Sequence, residues 1–371
     1  MPSRVLVVFC DALGPEQLDR FDGALSFLPH RRSLGGILGY SSGALATILT
    51  GAPASAHGRM CLFSARREGE RSLLAPLSWL GLLPRIVHER ERLRRVLARV
   101  LARSAGLTGY VALHRVPPAA FRWLDLPERD DLFAASEVGG VPTFLSRARE
   151  AGLRVYASPW QLPEPERWEQ AHRALRDPPD LAFLYAAELD ATLHREGNDG
   201  AGARSVRQRI ATEVEKARHA MLRGGGSLLT VLVGDHGMSD VHTVVDPRRL
   251  LNRVPVRVFV DSTMLRLWGT PSALDRARLA LESARLAGSW LDATELRARG
   301  VPSVYGDGIF LLEEGRIFAP SYVGGRVAGM HGYDPRSSSA SAAIASDAPL
   351  PQGCASLRDL APLVVSALGI A

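Results

Sequence analysis

Six acidic and imidazole side chains recur in short motifs spread along this chain. Asp190-Ala191-Thr192-Leu193-His194 sets a carboxylate and an imidazole four residues apart. On one helical turn, residues at i and i+4 share a face and can share a metal ion. Asp235-His236-Gly237 sets a second pair side by side, with a glycine that lets the backbone turn tightly next to an ion. Met330-His331-Gly332-Tyr333 adds a third imidazole, and Asp11 follows directly on the apolar run VLVVFC. Asp11, Asp190, His194, Asp235, His236 and His331 together supply enough nitrogen and oxygen ligands for two divalent cations, with coordination positions left for a substrate. Mixed Asp/His ligation suits zinc best, with manganese or iron the alternatives. Two cations about 4 Å apart form a clamp for in-line phosphoryl displacement. The stretch GYSSGALATILTG (39–51) offers hydroxyl nucleophiles, Ser41 and Ser42, at the start of a small-residue helix, where free N–H groups and the helix dipole favour phosphate. His57 and His242 lie near these motifs and are expected to position them. His30, His88, His114, His172 and His219 are read as background.

These groups need a scaffold that brings distant segments to one edge. Short apolar runs at VLVVFC (5–10), LRVYAS (153–158), LAFLYAA (181–187) and LLTVLVGD (228–235) read as buried strands. Helix-like segments at 141–153 and 205–226 separate them, each ending in glycine. The alternation predicts an α/β fold with a mostly parallel central sheet and helices on both faces. In such sheets ligands bind beyond the carboxyl ends of the strands. Asp11, the Glu188-Leu189-Asp190 cluster and Asp235-His236 each follow a predicted strand, as that rule requires. Residues 60–135 and 253–320 do not read as core and are expected to be caps inserted into a single domain spanning 1–371. The second cap reads strand, helix, strand.

Composition narrows the class. The chain has 371 residues, 46% of them hydrophobic, enough for one large core with subsidiary modules. Its apolar start is too short for a secretory signal and runs into Asp11. Cys10, Cys61 and Cys354 are odd in number and scattered, unlike a disulfide framework or zinc knuckle, so a cytoplasmic location is expected. The formal charge of +6 suits a small anionic substrate or a lipid surface. No motif for sequence-specific nucleic-acid recognition is present. No run of uninterrupted apolar residues is long enough to span a bilayer. The segment 73–103 joins LLAPLSWLGLL to the arginine-rich HERERLRRVLARVLAR. In its second half Leu93, Val96, Leu97, Val100 and Leu101 share a helical face opposite arginines. That pattern predicts packing on the protein's own body, with peripheral membrane contact the alternative.

The motifs, in this order, resemble the alkaline phosphatase superfamily and most closely its nucleotide pyrophosphatase/phosphodiesterase branch. VLVVFCDALGP (5–15) resembles the first strand with its metal aspartate, and GYSSGALATILTGAPASAHG (39–58) the nucleophile helix. ELDATLHREG (188–197), VGDHGMSD (233–240) and GMHGYDP (329–335) resemble the metal motifs, and SLRDLAPLVVSALGI (356–370) the closing helix. The resemblance implies Asp190, His194 and His331 around one ion, and Asp11, Asp235 and His236 around the other. It implies Ser41, ten residues before the helix-ending Gly51, as the nucleophile bridging to that second ion, with Ser42 the runner-up. The expected activity is two-metal hydrolysis of phosphodiester or pyrophosphate bonds through a phosphoserine-type intermediate. A phosphomonoesterase or phosphomutase on the same metals, and a non-catalytic membrane-surface protein, are the rival readings.

Overall fold

The computed structural model describes residues 4–370. The chain opens with β1 (Arg4–Cys10), β2 (His30–Leu34) and helix α1 (Ser41–Thr50), and later forms α2 (Glu91–Ser104). Next come β3 (Val155–Ala157), α3 (Glu164–Ala174), β4 (Leu181–Ala186), α4 (Glu188–Glu196), α5 (Ala201–Leu222) and β5 (Leu228–Val233). The segment after β5 carries β6 (Arg257–Val260), β7 (Met264–Trp268), β8 (Gly288–Leu291) and β9 (Gly308–Leu312) before the chain returns with β10 (Ala342–Ser346) and α6 (Leu360–Leu368).

The central sheet has six strands in the order β2-β10-β5-β1-β4-β3. β3, β4, β1 and β5 run parallel, and Val8 of β1 stands between Leu184 and Leu232. Both faces are covered, so alternate side chains of β1 enter different cores. Leu6, Val8 and Cys10 join α3 and α5, while Val5, Val7 and Phe9 join α1 and α6. This two-sided burial is why the central strands read as continuous apolar runs. β10 and β2 complete the sheet antiparallel, making it mixed. β2, HRRSL, carries no apolar run because it is a half-exposed edge strand, and its sequence pattern gave no signal.

Residues 60–135 and 253–320 depart from their sequence reading in detail. VPVRVFVDSTMLRLWG is a hairpin, β6–β7, turning at Asp261-Ser262-Thr263, and GSWL forms a further strand, so 253–320 holds a four-stranded antiparallel sheet ordered β6-β7-β9-β8. Helix α2 also differs. Leu93, Leu97 and Leu101 pack on a cluster with Phe63, Leu80 and Phe121, to which Phe259 of β6 belongs. Val96 and Val100, expected on the same face, are 52% and 57% exposed. Arg94, expected outside, is buried and donates to the carbonyls of His88 (2.7 Å) and Val116 (2.9 Å).

Candidate active site

The carboxyl edge of the parallel strands gathers the six predicted ligands. Asp11 directly follows β1, Asp190 and His194 lie one turn apart on α4, and Asp235-His236 follow β5. His331 comes from the far end of the chain. A two-residue antiparallel ribbon, in which Ser239 pairs with Met330, ties its loop to the Asp235-His236 loop. Ligand atoms of Asp11, Asp235 and His236 all lie within 4.8 Å of one another, as do those of Asp190, His236 and His331. His236 therefore stands between the two groups, its ring stacked on His331 at 3.6 Å between centroids. His194 reaches Asp190, Nε2 to Oδ1, at 3.3 Å.

The ring nitrogens have divided roles. His194 Nδ1 donates to the Gly329 carbonyl (2.8 Å) and His236 Nδ1 to the Gly237 carbonyl (2.8 Å). These bonds fix each proton on Nδ1 and aim the Nε2 lone pair into the cluster. For His236 that lone pair faces Asp235 Oδ2 at 3.2 Å, Asp11 Oδ1 at 3.5 Å and the Ser41 hydroxyl at 3.0 Å. With Nε2 unprotonated, the two carboxylate oxygens meet it acceptor to acceptor, an arrangement that a bound cation relieves. Asp11 Oδ1, Asp190 Oδ1 and Asp235 Oδ2 are moreover buried without a hydrogen-bond partner, a costly state that a bound ion relieves. The second oxygens of Asp11 and Asp235 are tied down: Tyr185 donates its hydroxyl to Asp11 Oδ2 (3.0 Å), and the Ala12 N–H donates to Asp235 Oδ1 (3.2 Å). The donor set and its orphaned oxygens fit divalent cations.

Electrostatics agree. Burial and the neighbouring Asp235 and Asp190 hold the Asp11 carboxyl well above its ordinary range. Burial raises Asp190 too, against the pull of His194 and His236. Burial opposes charge on His236, yet Asp235, Asp11 and Asp190 outweigh it and push the imidazole up to about 10. The protein groups alone thus demand positive charge at this point.

Ser41 is the first residue of α1, following Tyr40 in extended conformation. The approach is tight. Gly39 has φ +127°, and a Cβ there would stand 2.5 Å from the Met60 carbonyl oxygen, so only glycine fits. Ser42 also lines the cavity in front of the cluster, but its hydroxyl is buried without a partner. That cavity, about 550 Å³, brings Ser41, Asp11, Asp190 and His331 together with the aromatic rings of Tyr110 and Trp160. Its charged wall includes Arg167, which is 5% exposed and lies over the Tyr185 ring at 4.6 Å. Periodicity in the sequence gave no sign of Tyr185 or Arg167, which sit on β4 and α3 as ordinary amphipathic positions.

His57 acts where expected, as a clamp. It accepts from the Arg59 N–H at Nδ1 (3.1 Å) and meets the Thr47 hydroxyl through Nε2 (3.0 Å), tying α1 to the turn after it. Burial, then the Arg59 charge, lowers its pKa to about 4. A histidine kept neutral by the fold binds its proton only on unfolding. Its contribution is therefore complete above the unfolded value of about 6.5 and falls as pH drops towards 4. We expect a His57→Gln variant to lose that part of the stability-versus-pH slope between pH 6.5 and 4 in urea titrations; an unchanged slope refutes the assignment. His242, by contrast, is exposed and packs over Gly315, away from the cluster.

A family model for type I phosphodiesterase / nucleotide pyrophosphatase matches residues 111–299. The chain belongs to this family. It is accordingly a hydrolase of the phosphodiesterase/nucleotide pyrophosphatase kind. No curated protein sequence matches it. Among solved structures, murine ectonucleotide pyrophosphatase/phosphodiesterase 5 is similar, with TM-score 0.70 and 14% identity over 100% of this chain and 96% of that one. An inactive threonine-to-alanine variant of the murine protein, in complex with AMP, gives TM-score 0.68 at 15% identity, and the human protein 0.67 at 15%, with the same coverage. At these identities the likeness establishes the alkaline-phosphatase-like fold.

Proposed function

We propose that the protein cleaves a phosphodiester or pyrophosphate bond of a small nucleotide-type substrate, with Ser41 as nucleophile and two divalent cations, zinc by donor type and manganese as the alternative. The observation that carries this reading is the Ser41 hydroxyl standing 3.0 Å from His236 Nε2, at the junction of the two ligand groups. Asp11, Asp235, His236 and the Ser41 oxygen would hold one cation, and Asp190, His194 and His331 the other. When bound, the cations would neutralise phosphate oxygens and lower the pKa of the attacking hydroxyl and water.

The chain's own groups supply the rest. Ser41 Oγ attacks phosphorus, one half of the substrate leaves, and water later cleaves the serine ester. The first N–H groups of α1 have no partner within the helix and suit a phosphate oxygen. Arg167 adds a cation to the cavity wall, and Tyr110 and Trp160 offer surfaces on which a flat base can lie. A volume of about 550 Å³ lies within the usual range for small-ligand sites. The AMP in the murine neighbour's structure supports a nucleotide-type substrate. A cytoplasmic setting belongs to the same proposal and is supported by three buried cysteines, all free.

The test is metal-dependent turnover. Chelator-treated protein should be inactive and recover with Zn or Mn, and a chromogenic phosphodiester should be cleaved at least about tenfold faster than the corresponding monoester. Chelator-resistant activity overturns the metal assignment. Monoester preference transfers the site to a phosphomonoesterase or phosphomutase.

A further inference from the structure

We infer that the segment 75–103 is a docking surface for an anionic lipid membrane. The inference is independent of the catalytic reading. Nine large apolar side chains are exposed among the described residues, and five of them, Trp79, Leu82, Ile86, Val96 and Val100, lie between positions 79 and 100. Leu82 is 87% and Ile86 74% exposed, so they are not edges of a core. The segments are neighbours in space: the helical turn Arg85–His88 packs against both the 3₁₀ segment Ala75–Leu82 and α2.

Charge identifies the partner. Positions 85–103 hold seven arginines against two glutamates, a net +5 of the chain's +6. Both glutamates are already engaged, Glu89 with Arg85 at 3.0 Å and Glu91 with Arg95. Arg92, Arg99 and Arg103 are exposed and make no ion pair or side-chain hydrogen bond among the described residues. On the α2 wheel, Val96 and Val100 lie one turn apart, between the partly buried Leu93–Leu97–Leu101 row and the Arg92–Arg99–Arg103 row. An apolar strip flanked by free arginines is what an interfacial helix presents to acyl chains and headgroups. A second copy of the chain is disfavoured, because two arginine-rich faces of the same sign would repel. No helix among the described residues is long and apolar enough to cross a membrane, so the segment would lie on the surface.

The experiment is flotation of the full chain with phosphatidylglycerol/phosphatidylcholine vesicles and with phosphatidylcholine alone. Binding to the anionic vesicles and its loss in high salt are expected. Leu82→Asp/Ile86→Asp and Arg92→Glu/Arg103→Glu should each lower partitioning at least about tenfold. Thermal melts and turnover of a soluble diester should stay as in the parent, which separates lost docking from lost folding. No binding to anionic vesicles, equal binding to neutral ones, or full binding by both variants overturns the inference. So does concentration-dependent dimerisation abolished by Leu82→Asp/Ile86→Asp, which would assign the face to a second copy.

Discussion

A Ser41→Ala enzyme is expected to lose at least about a thousandfold in kcat on a phosphodiester, whereas Ser42→Ala stays within about tenfold of the parent. The two hydroxyls are adjacent in sequence and both line the cavity, so chemistry must tell them apart. Ser41 Oγ is 3.0 Å from Nε2 of His236, the residue shared by both ligand groups. Ser42 Oγ is buried with no hydrogen-bond partner. Covalent catalysis removes one pathway with its nucleophile, so little should survive except slow attack by water at the same site. The Asp11–Asp235–His236 group remains in the variant, so the divalent-metal content measured on the purified protein should stay close to that of the parent. Unchanged metal content with collapsed kcat identifies a nucleophile. More than a tenth of parental activity in Ser41→Ala, or an inactive Ser42→Ala, would remove Ser41 from that role.

The sequence made the site more legible than its surroundings. Asp190 and His194 were readable because helical spacing alone puts them on one face. Asp11 and Asp235 were readable because each follows an apolar strand whose carboxyl end must lie at the same sheet edge. The pairing of His236 with both groups was not readable, since it depends on how the 233–240 and 329–335 loops close on each other through the Ser239–Met330 ribbon. The same limit applies outside the site. A strand buried on both faces announces itself as VLVVFC, while the edge strand HRRSL does not. The wheel of α2 placed Val96 and Val100 with the leucines, but only the packed structure shows that the core beneath is too narrow to cover them. Tyr40 and Thr263 carry no motif, yet they join the 253–320 segment to the site. The Tyr40 hydroxyl meets Thr263 Oγ1 at 2.8 Å, Thr263 donates to the Gly332 carbonyl at 2.6 Å, and the Tyr40 ring stands edge-on to His331 at 5.6 Å.

That joint rests on a buried ion pair, so Asp261→Ala is expected to destabilise the protein by about 3–5 kcal/mol. Arg266 is fully buried, with Nε 2.5 Å from Asp261 Oδ2 and a second donation to the Phe63 carbonyl at 2.7 Å. Its guanidinium lies over the Phe259 ring at 4.4 Å and near Trp268 and Tyr305, each at 5.7 Å. Removing the carboxylate would leave a full positive charge in that aromatic shell, where one guanidinium nitrogen, NH2, already lacks a partner. Burial holds the Asp261 carboxyl above its ordinary range against the pull of Arg266, whereas at Arg266 the neighbouring Asp261 outweighs burial and raises the guanidinium; replacing such a pair whole by apolar groups is often neutral. The double variant Asp261→Leu/Arg266→Met should therefore recover most of the loss in urea denaturation. The hairpin turn also carries Thr263, so Asp261→Ala should lower kcat as well, by loosening Tyr40 against His331. A cost below about 1 kcal/mol would show that the pair is relaxed by water, and a double variant as unstable as the single one would show that packing, not the unpaired charge, sets the penalty.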